Sequence, residues 1–191
     1  MYNVRHVAII MDGNRRWAEQ RGLYMLEGHK AGAENVRRII RACRNFGIKY
    51  ITLYTFSSEN WNRPKTEING LMLLLRRFIR KNIDELNEEG IRLRAIGRLE
   101  KLPANTRKIL LEAIESTKDN NKGDVILALS YGSRGEILDA VRKICLDVNE
   151  GRLSAEGLDE EAFRKYLYAP DVPDPELLIR MLLVGYCFGI R

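Results

Sequence analysis

The sequence predicts a single α/β domain in which helices flank a mostly parallel β-sheet. The 191 residues are enough for one substantial domain and few for two. Hydrophobic residues make up 45% of the chain and charged residues 30%, a balance typical of a globular protein with an ordinary core. The apolar residues alternate between the period of a strand and that of a helix, and this alternation favours parallel strands joined by helices.

The first half of the chain contains two predicted strands and two predicted helices. Val7–Met11 is a continuous apolar run, which suits a strand buried on both faces. A helix with an apolar stripe follows and ends near Gly47, a residue type common just beyond helix ends. Tyr50–Phe56 is rich in β-branched and aromatic residues and predicts the second strand. A long helix then begins at Thr66, a favourable cap, and continues to about Glu89.

The second half repeats the alternation, with short apolar runs that predict strands and helically spaced stripes that predict helices. In chain order these are a strand at Leu93–Ile96, a helix opened by Pro103, a strand at Val125–Leu129, a helix carrying Ile137–Val148, a shorter helix at Asp159–Tyr168 and a strand at Leu177–Ile179. Ligands of such sheets bind beyond the carboxyl ends of the strands. The loops after Met11, Phe56 and Leu129 are therefore the places where we expect a site.

The chain carries a formal net charge of +6, which favours a polyanionic partner. Nucleic acid, an anionic membrane surface and a phosphorylated small molecule all satisfy that condition, and charge alone does not choose among them. The basic residues occur in short groups such as Arg37-Arg38 and Arg76-Arg77, which are typical of solvent-facing helices. The sequence shows no recognition helix and no aromatic RNA-binding motif, so we do not expect a nucleic-acid partner.

The sequence indicates a cytoplasmic protein that can contact a membrane at its periphery. Met1–Arg5 leads almost directly into the first strand and leaves no room for a signal peptide. The longest apolar stretches are shorter than the about 20 residues that cross a bilayer. Cys43, Cys145 and Cys187 are far apart and lack a CxxC spacing, so we expect reduced, buried thiols rather than a zinc site.

The loop after the first strand combines one carboxylate with two guanidinium groups. It reads Asp12-Gly13-Asn14-Arg15-Arg16-Trp17. Arginine binds phosphate oxygens in a planar fork, but a carboxylate among arginines would repel a phosphate unless a cation bridges the two. Mg²⁺ is the natural cation, because it prefers one or two carboxylates together with diphosphate oxygens. A simple turn with Asp12 as a helix cap explains the same residues equally well.

The loop after the second strand is also polar. It reads Ser57-Ser58-Glu59-Asn60-Trp61-Asn62-Arg63-Pro64 and brings hydroxyl, amide, carboxylate and guanidinium groups to the end of a strand. Taken alone, this loop is better explained as an ordinary polar connection in which Trp61 is a packing anchor.

Five segments, taken together, resemble the signature segments of the cis-prenyltransferase family, the undecaprenyl diphosphate synthase type of enzyme. The two longest are His6–Ala18 (HVAIIMDGNRRWA) and Tyr54–Pro64 (YTFSSENWNRP). Shorter matches follow in the expected order at Gly28–Gly32, Ser130–Arg134 and Leu177–Arg180. The resemblance covers roughly residues 5–180, and ordered agreement at five places is not expected by chance.

The resemblance implies an α/β fold with an elongated apolar tunnel and a Mg²⁺-dependent transferase. Members of the family join isopentenyl diphosphate to an allylic diphosphate, usually farnesyl diphosphate, in successive cis additions that release pyrophosphate. They commonly form homodimers through an interface that their final helices help to build; this sequence lacks those helices, so we expect the interface to be incomplete here. The helix that begins at Thr66 is a candidate tunnel wall, because Leu71–Leu75 extends its apolar character beyond one stripe. A wide core-facing helix would show the same pattern.

The resemblance also assigns roles to individual residues. Asp12 matches the essential carboxylate that engages Mg²⁺ and the diphosphate, and Asn60 with His29 is placed for proton handling. Arg180 matches an arginine that binds isopentenyl diphosphate. The substrate contacts that the resemblance implies besides Arg180 are Gly13, Asn14, Arg15, Arg16, Trp17, His29, Ser57, Ser58, Glu59, Trp61 and Arg63.

Two departures from the family pattern concern activity. Met25 stands where members commonly carry an arginine, and Arg21 is a candidate replacement. After Arg180 the family continues with further substrate-binding and metal-binding residues, whereas Met181–Arg191 is apolar. We therefore divide the chain into a cis-prenyltransferase domain over 1–180, incomplete at its C-terminal end, and a divergent tail over 181–191. Such an abrupt loss of pattern is typical of a shifted reading frame, a truncation or an alternative end.

These departures leave two functional hypotheses. In the first, the chain is a prenyl chain-elongating enzyme whose turnover is impaired. In the second, it is a catalytically weak binding or regulatory subunit, or a truncated product, that retains the allylic diphosphate site.

Overall fold

Six strands form one sheet in the computed structural model, which describes residues 4–182 and 185–188. They are β1 (His6–Asp12), β2 (Tyr50–Ser57), β3 (Ile91–Ile96), β4 (Gly123–Tyr131), β5 (Leu177–Leu182) and β6 (Gly185–Phe188). Their spatial order is β3-β4-β2-β1-β5-β6, and neighbours pair in parallel except for β5 and β6, which are antiparallel. The predicted α/β class with a mostly parallel sheet is confirmed.

Helices connect these strands and cover the sheet. They are α1 (Asn14–Glu19), α2 (Met25–Asn45), α3 (Lys65–Glu88), α4 (Ala104–Ser116), α5 (Ser133–Asn149) and α6 (Glu160–Arg164), and a short 3₁₀ helix spans Ser58–Asn62. The main core lies between the sheet and α2, α3 and α4, which contribute residues such as Val36, Met72 and Leu110. α3 packs its apolar stripe against this core, as predicted for an amphipathic helix. The predicted start was wrong, because the helix begins at Lys65 after Pro64 and Thr66 lies inside its first turn.

Helix α5 is covered much less completely than the other long helices. Only Ala140 and Ile144 of α5 are buried. The large apolar side chains that it leaves exposed are Ile137, Leu138, Val141 and Leu146. A contiguous apolar stripe of this kind on a helix is a feature of surfaces that associate with another molecule.

Parallel pairing brings the ends of three strands to one edge of the sheet. In the register of β1 with its neighbours, Ile10 lies opposite Tyr54 of β2 and opposite Arg180 of β5. The loops that leave β1 and β2 therefore start side by side, and Arg180 arrives at the same edge from the far end of the chain.

The structure departs from the sequence-based expectations at several places. Strand β5 continues past residue 180 to Leu182, and β6 was not predicted. Cys43 is buried as expected, but Cys145 is exposed, so that prediction was wrong; it lies on the weakly covered helix α5. The prediction for the Cys187 thiol lies outside the described side chains, and the tail residues 183–184 and 189–191 lie outside the described residues altogether.

Among residues 4–182 and 185–188, no helix combines the length and the apolar character that crossing a bilayer requires.

Candidate active site

The turn after β1 directs the first group of predicted site residues. Gly13 has φ 76° and ψ 2°, a left-handed conformation that only glycine adopts without strain, and α1 begins directly after it. The backbone N–H of Gly13 donates to Asp12 Oδ1 at 2.6 Å. This bond holds the carboxylate of Asp12 back over the end of its own strand.

Helix α2 fits against this turn because two of its residues lack a side chain. A Cβ at Gly28 would lie 1.9 Å from the backbone oxygen of Asn14, and one at Gly32 would lie 2.7 Å from the Asn14 side-chain amide. Both glycines therefore permit a close approach of α2 to α1. This packing explains the Gly-His-Lys-Ala-Gly segment physically and places His29, between the two glycines, beside the turn.

Asp12 is surrounded by positive charge. Arg180 Nε donates to Asp12 Oδ2 at 3.1 Å and its Nη2 also contacts that oxygen, while Arg16 Nη2 lies 3.6 Å away. The hydrogen bond from Arg180 is the largest reason why the pKa of Asp12 lies below its usual range, and the Gly13 N–H and the charge of Arg16 act in the same direction. Asp12 is therefore an ionised carboxylate at neutral pH.

The loop after β2 is held mainly by bonds within itself. The Ser57 N–H donates to Asn60 Oδ1 at 3.0 Å, and the Ser57 hydroxyl accepts from the backbone N–H of Asn60, so the two residues form a capping box. Trp61 Nε1 donates to Ser130 Oγ at 2.9 Å, and its ring meets Phe56 edge-on with centroids 4.9 Å apart. Trp61 thus has the packing role that the loop suggested when taken alone.

Arg63 and His29 meet at a buried carboxylate. Arg63 Nη1 donates to Glu67 Oε1 at 2.8 Å, and His29 Nε2 lies 3.9 Å from the same oxygen. The side chain of Glu67 is 1% exposed and that of His29 is 13% exposed. Burial lowers the pKa of His29, and the nearby charge of Arg63 lowers it further against the opposing effect of Glu67. His29 is therefore neutral in this arrangement.

Most of the predicted residues line one polar pocket at this edge of the sheet. The pocket contains about 1390 Å³ of empty space, including the open solvent at its mouth. Its lining includes Asp12, Gly13, Asn14, Arg15, Arg16, His29, Ser57, Asn60, Arg63 and Arg180. Residues from α1, α2, both loops and β5 thus converge, although Arg15 also pairs outward with Glu19 at 2.8 Å.

Four predicted substrate contacts do not line the polar pocket; they are Trp17, Ser58, Glu59 and Trp61. The Arg21 guanidinium carbon lies 4.4 Å from the centre of the Trp17 ring, and Arg21 is also absent from the pocket lining. Glu59 is exposed, and hydrogen bonds from its own backbone N–H and from the Ser57 and Ser58 hydroxyls lower its pKa. These residues shape the loops around the pocket rather than its surface.

The polar pocket opens into an apolar cavity between the sheet and helices α2 and α3. The cavity contains about 680 Å³ of empty space, and the residues that it shares with the polar pocket are Met11, Asn14, His29, Thr55, Phe56 and Leu71. Leu71, Met72, Leu74 and Leu75 form its α3 wall, as the sequence predicted, whereas Leu73 is exposed. A ligand with an anionic head group and an apolar tail could therefore place its head in the polar pocket and its tail in the adjoining apolar cavity.

Several pocket residues were not anticipated from the sequence. Tyr54, Thr55 and Phe56 lie at the end of β2, and Tyr131 comes from the end of β4. The strand alternation of β2 could have indicated Thr55, since Leu53 and Thr55 both line the apolar cavity. Glu67 carries no such signal, because its contact with His29 depends on how α2 packs against α3.

The charged groups of the pocket fit a Mg²⁺ ion that the protein and the phosphate oxygens of a ligand would coordinate together. Among the described residues no cluster of three or more His, Cys, Asp or Glu side chains could hold a metal by itself. Asp12 is the one carboxylate among the residues that line the polar pocket. A single carboxylate suits Mg²⁺ when phosphate oxygens supply other ligands, which is how this cation is usually bound beside nucleotides and diphosphates.

Comparisons with known proteins identify the family. A family model described as "Putative undecaprenyl diphosphate synthase" matches residues 10–182. The isoprenyl transferase of Clostridium perfringens is 46% identical over 176 residues, which cover 92% of this chain and 70% of that protein. The Micrococcus luteus ditrans,polycis-undecaprenyl-diphosphate synthase, named as specific for (2E,6E)-farnesyl diphosphate, is 44% identical over 176 residues, with 92% of this chain and 71% of that protein covered.

A solved structure shares both the fold and part of the sequence. The crystal structure of lavandulyl diphosphate synthase from Lavandula x intermedia, in complex with dimethylallyl diphosphate, has a TM-score of 0.91 and 35% identity, and the match covers 98% of this chain and 82% of that chain. The resemblance that the five sequence segments indicated is confirmed, and the chain belongs to the undecaprenyl diphosphate synthase family of prenyltransferases.

Proposed function

We propose that the chain elongates a prenyl diphosphate in cis by condensing isopentenyl diphosphate with an allylic diphosphate such as farnesyl diphosphate. The observation that carries this proposal is the continuity of the arginine-rich polar pocket with the apolar cavity. The names of two relatives support the choice of ligand, because one is specific for farnesyl diphosphate and the other was solved with dimethylallyl diphosphate.

The condensation breaks the allylic C1–O bond, and the electron pair leaves on pyrophosphate. A bond forms between that C1 and C4 of the isopentenyl unit, which then loses a proton from C2. Negative charge therefore grows on the departing pyrophosphate, and Arg16 and Arg63 stabilise it more as the bond breaks than before, while Arg180 binds the isopentenyl diphosphate. The apolar cavity holds the prenyl chain and keeps the reacting carbons in line.

Asp12 is the proposed ligand of Mg²⁺ in this pocket. When bound, the cation would neutralise charge on the diphosphate oxygens. Gly13 fixes the direction of the Asp12 carboxylate through its N–H, and Arg16 and Arg180 keep the carboxylate ionised and ready to bind. His29 and Asn60 remain the proposed proton-handling residues; His29 lies where the polar pocket meets the apolar cavity.

The exposed apolar stripe of α5 supports association with another chain. Leu138 lies within this stripe, and 42–58% of each of its four apolar residues is exposed. We propose a homodimer or a pairing with a complete relative across this face, and the second possibility matches the hypothesis of a binding subunit. Replacing Leu138 with Asp should lower the molar mass measured by light scattering to that of a monomer. An unchanged molar mass for the variant would contradict this use of α5.

A two-part assay tests the proposed function. Calorimetry with farnesyl thiodiphosphate, which resists ionisation, measures binding, and incorporation of labelled isopentenyl diphosphate with Mg²⁺ measures turnover. Binding together with turnover supports the enzyme. Binding without turnover, with turnover gained by adding a full-length relative, supports the regulatory subunit, and absence of both would overturn the proposal. The expected impairment of turnover, the cytoplasmic location and the peripheral membrane contact stay predictions.

A further inference from the structure

Glu67 is a fully buried carboxylate with an incomplete set of partners. Its side chain is 1% exposed and Oε1 accepts from Arg63, whereas Oε2 has no hydrogen-bond partner among residues 4–182 and 185–188. Burying a charged group is costly unless it is paired and hydrogen-bonded. A fold gains nothing in stability from a half-satisfied buried carboxylate, so its position calls for a role other than packing.

His29 also has a buried polar atom that makes no hydrogen bond to any described residue. Its Nε2 is buried and has no hydrogen-bond partner within the described part of the chain, although Glu67 Oε1 is only 3.9 Å away. The unsatisfied nitrogen of His29 lies just beyond hydrogen-bonding distance of Glu67 Oε1, and the other oxygen of that carboxylate, Oε2, is itself unsatisfied. Two unsatisfied groups in one small cluster indicate an arrangement that is completed in another state. A shift of about 1 Å would bring a protonated His29 into a charge-assisted hydrogen bond with Glu67.

The charges around His29 explain why its imidazole is neutral in this structure and would be protonated when a diphosphate is bound. Arg63 and Glu67 are the charged groups that face His29 from the neighbouring loop and from α3, and they act on its pKa in opposite directions, with Arg63 the stronger. Its other neighbours, Asn14, Thr55 and Leu71, carry no charge, and Asp12, Arg15, Arg16 and Arg180 line the same pocket farther along. A diphosphate would add negative charge that favours the protonated imidazole, and Glu67 would then be its counter-ion.

The local sequence keeps Glu67 in place. Arg63 precedes Pro64, which caps α3, and Glu67 lies in the first turn of that helix, four residues after Arg63. A carboxylate in the first turn is stabilised by the helix dipole, and Arg63, in the extended segment just before the helix, donates to it.

We propose that Glu67 is a positioning residue of the diphosphate pocket: its carboxylate holds the Arg63 guanidinium toward the ligand and balances the charge of a protonated His29 once the ligand is bound. The inference rests on the proposed function, because it requires an anionic ligand in the polar pocket. It assigns to Glu67 no direct contact with substrate, since Glu67 does not line the polar pocket.

The chain offers a direct measurement, because it contains only two histidines, His6 and His29. The pKa of each is followed by NMR of ¹⁵N-histidine-labelled protein, with and without inorganic pyrophosphate. His6 is the internal control, since its ring bonds the Pro173 carbonyl and the Thr52 hydroxyl. In the wild type, saturating pyrophosphate should raise the pKa of His29 and leave that of His6 unchanged.

The Glu67→Gln variant should shift the pKa of His29 down by about 1, because the counter-ion is lost. It should also weaken pyrophosphate binding by about tenfold, because Arg63 loses its charged partner. Glu85→Gln is the matched control. Glu85 lies farther along α3 and pairs with Arg37 and Arg41 of α2, so its loss should leave the His29 pKa and the pyrophosphate affinity unchanged. If Glu67→Gln does not fold, Glu67→Asp should show the same two changes with smaller amplitude.

Each outcome decides the inference. A His29 pKa and a pyrophosphate affinity that match the wild type in a folded Glu67 variant would overturn it while leaving the proposed function intact. A wild-type chain that binds neither pyrophosphate nor farnesyl thiodiphosphate would overturn the proposed function, and the role of Glu67 would fall with it.

Discussion

The loops after β1 and β2 have similar polar composition but are built in opposite ways. The loop after β1 is fixed from outside, by the glycines of α2 that pack against it, and its charged side chains point into the pocket. The loop after β2 is fixed mainly by the capping box of Ser57 and Asn60 within it, and Trp61 ties it to Ser130 of β4. Ser57 and Asn60 line the pocket, whereas Ser58, Glu59 and Trp61 of the same loop do not. Polar residue types at a strand end therefore do not by themselves reveal which side chains face a ligand.

The largest effect should come from the charged group of the first loop. Asp12→Ala should lower turnover by about 10²–10³-fold, because it removes a charge that organises the diphosphate. Its stability should change little, since Asp12 is partly exposed and its ion pairs are at the surface. Steady-state kinetics and urea denaturation measure the two quantities; a variant with normal turnover would remove Asp12 from the site.

The second-largest effect should come from the glycines of α2 that support the loop after β1, and it should be an effect on stability. Gly28→Ala should destabilise the protein by about 1–3 kcal/mol, because the new methyl group overlaps the Asn14 backbone. Gly135→Ala is the control, since its Cβ would meet nothing closer than 3.6 Å. Thermal unfolding of the two variants should separate them clearly, and equal stabilities would mean that α2 can move away from the turn without loss.

The anchor of the second loop, Trp61, should affect stability more than activity. Trp61→Phe keeps an aromatic ring beside Phe56 but removes the donor to Ser130, which is buried and has φ 49°. The cost should be about 1–3 kcal/mol, the typical loss when a buried group is left unsatisfied. Retained substrate affinity in a destabilised variant would support the packing role, whereas lost affinity with full stability would support the direct contact that the family resemblance implies.

The smallest effect should come from Glu59, which does not line the pocket. Glu59→Gln should leave turnover unchanged. Because hydrogen bonds lower the pKa of Glu59 in the folded protein, its small contribution to stability is present at neutral pH and is lost as the pH falls through that lowered value. Urea denaturation at a series of pH values below 7 should therefore show a wild-type advantage at pH 7 that shrinks as the pH is lowered. A large drop in turnover would place Glu59 in the site after all.

Features with a local cause could be predicted from the sequence. Buried runs such as Val7–Met11 and Tyr50–Phe56 indicated the central strands because a strand covered on both faces tolerates few polar residues. The apolar wall of α3 followed from its widened stripe. These predictions needed only neighbouring residues.

Features that depend on distant partners could not be predicted. The bond from Trp61 to Ser130 joins residues 69 positions apart, and the bond from Arg180 to Asp12 joins residues 168 apart. Strand β6 and the cluster of His29 with Glu67 likewise depend on tertiary packing. Family resemblance recovered the residue types at the pocket but not the division between those that face it and those that support it.

The position of β1 has a consequence for how this protein forms. β1 is synthesised before both of its sheet neighbours, β2 and β5, and β5 begins only at Leu177. Arg180 can reach Asp12 only when β5 pairs with β1. During translation the nascent chain therefore carries an unpaired edge of this central strand until residues 177–182 have been synthesised, and contacts of such long sequence separation form late.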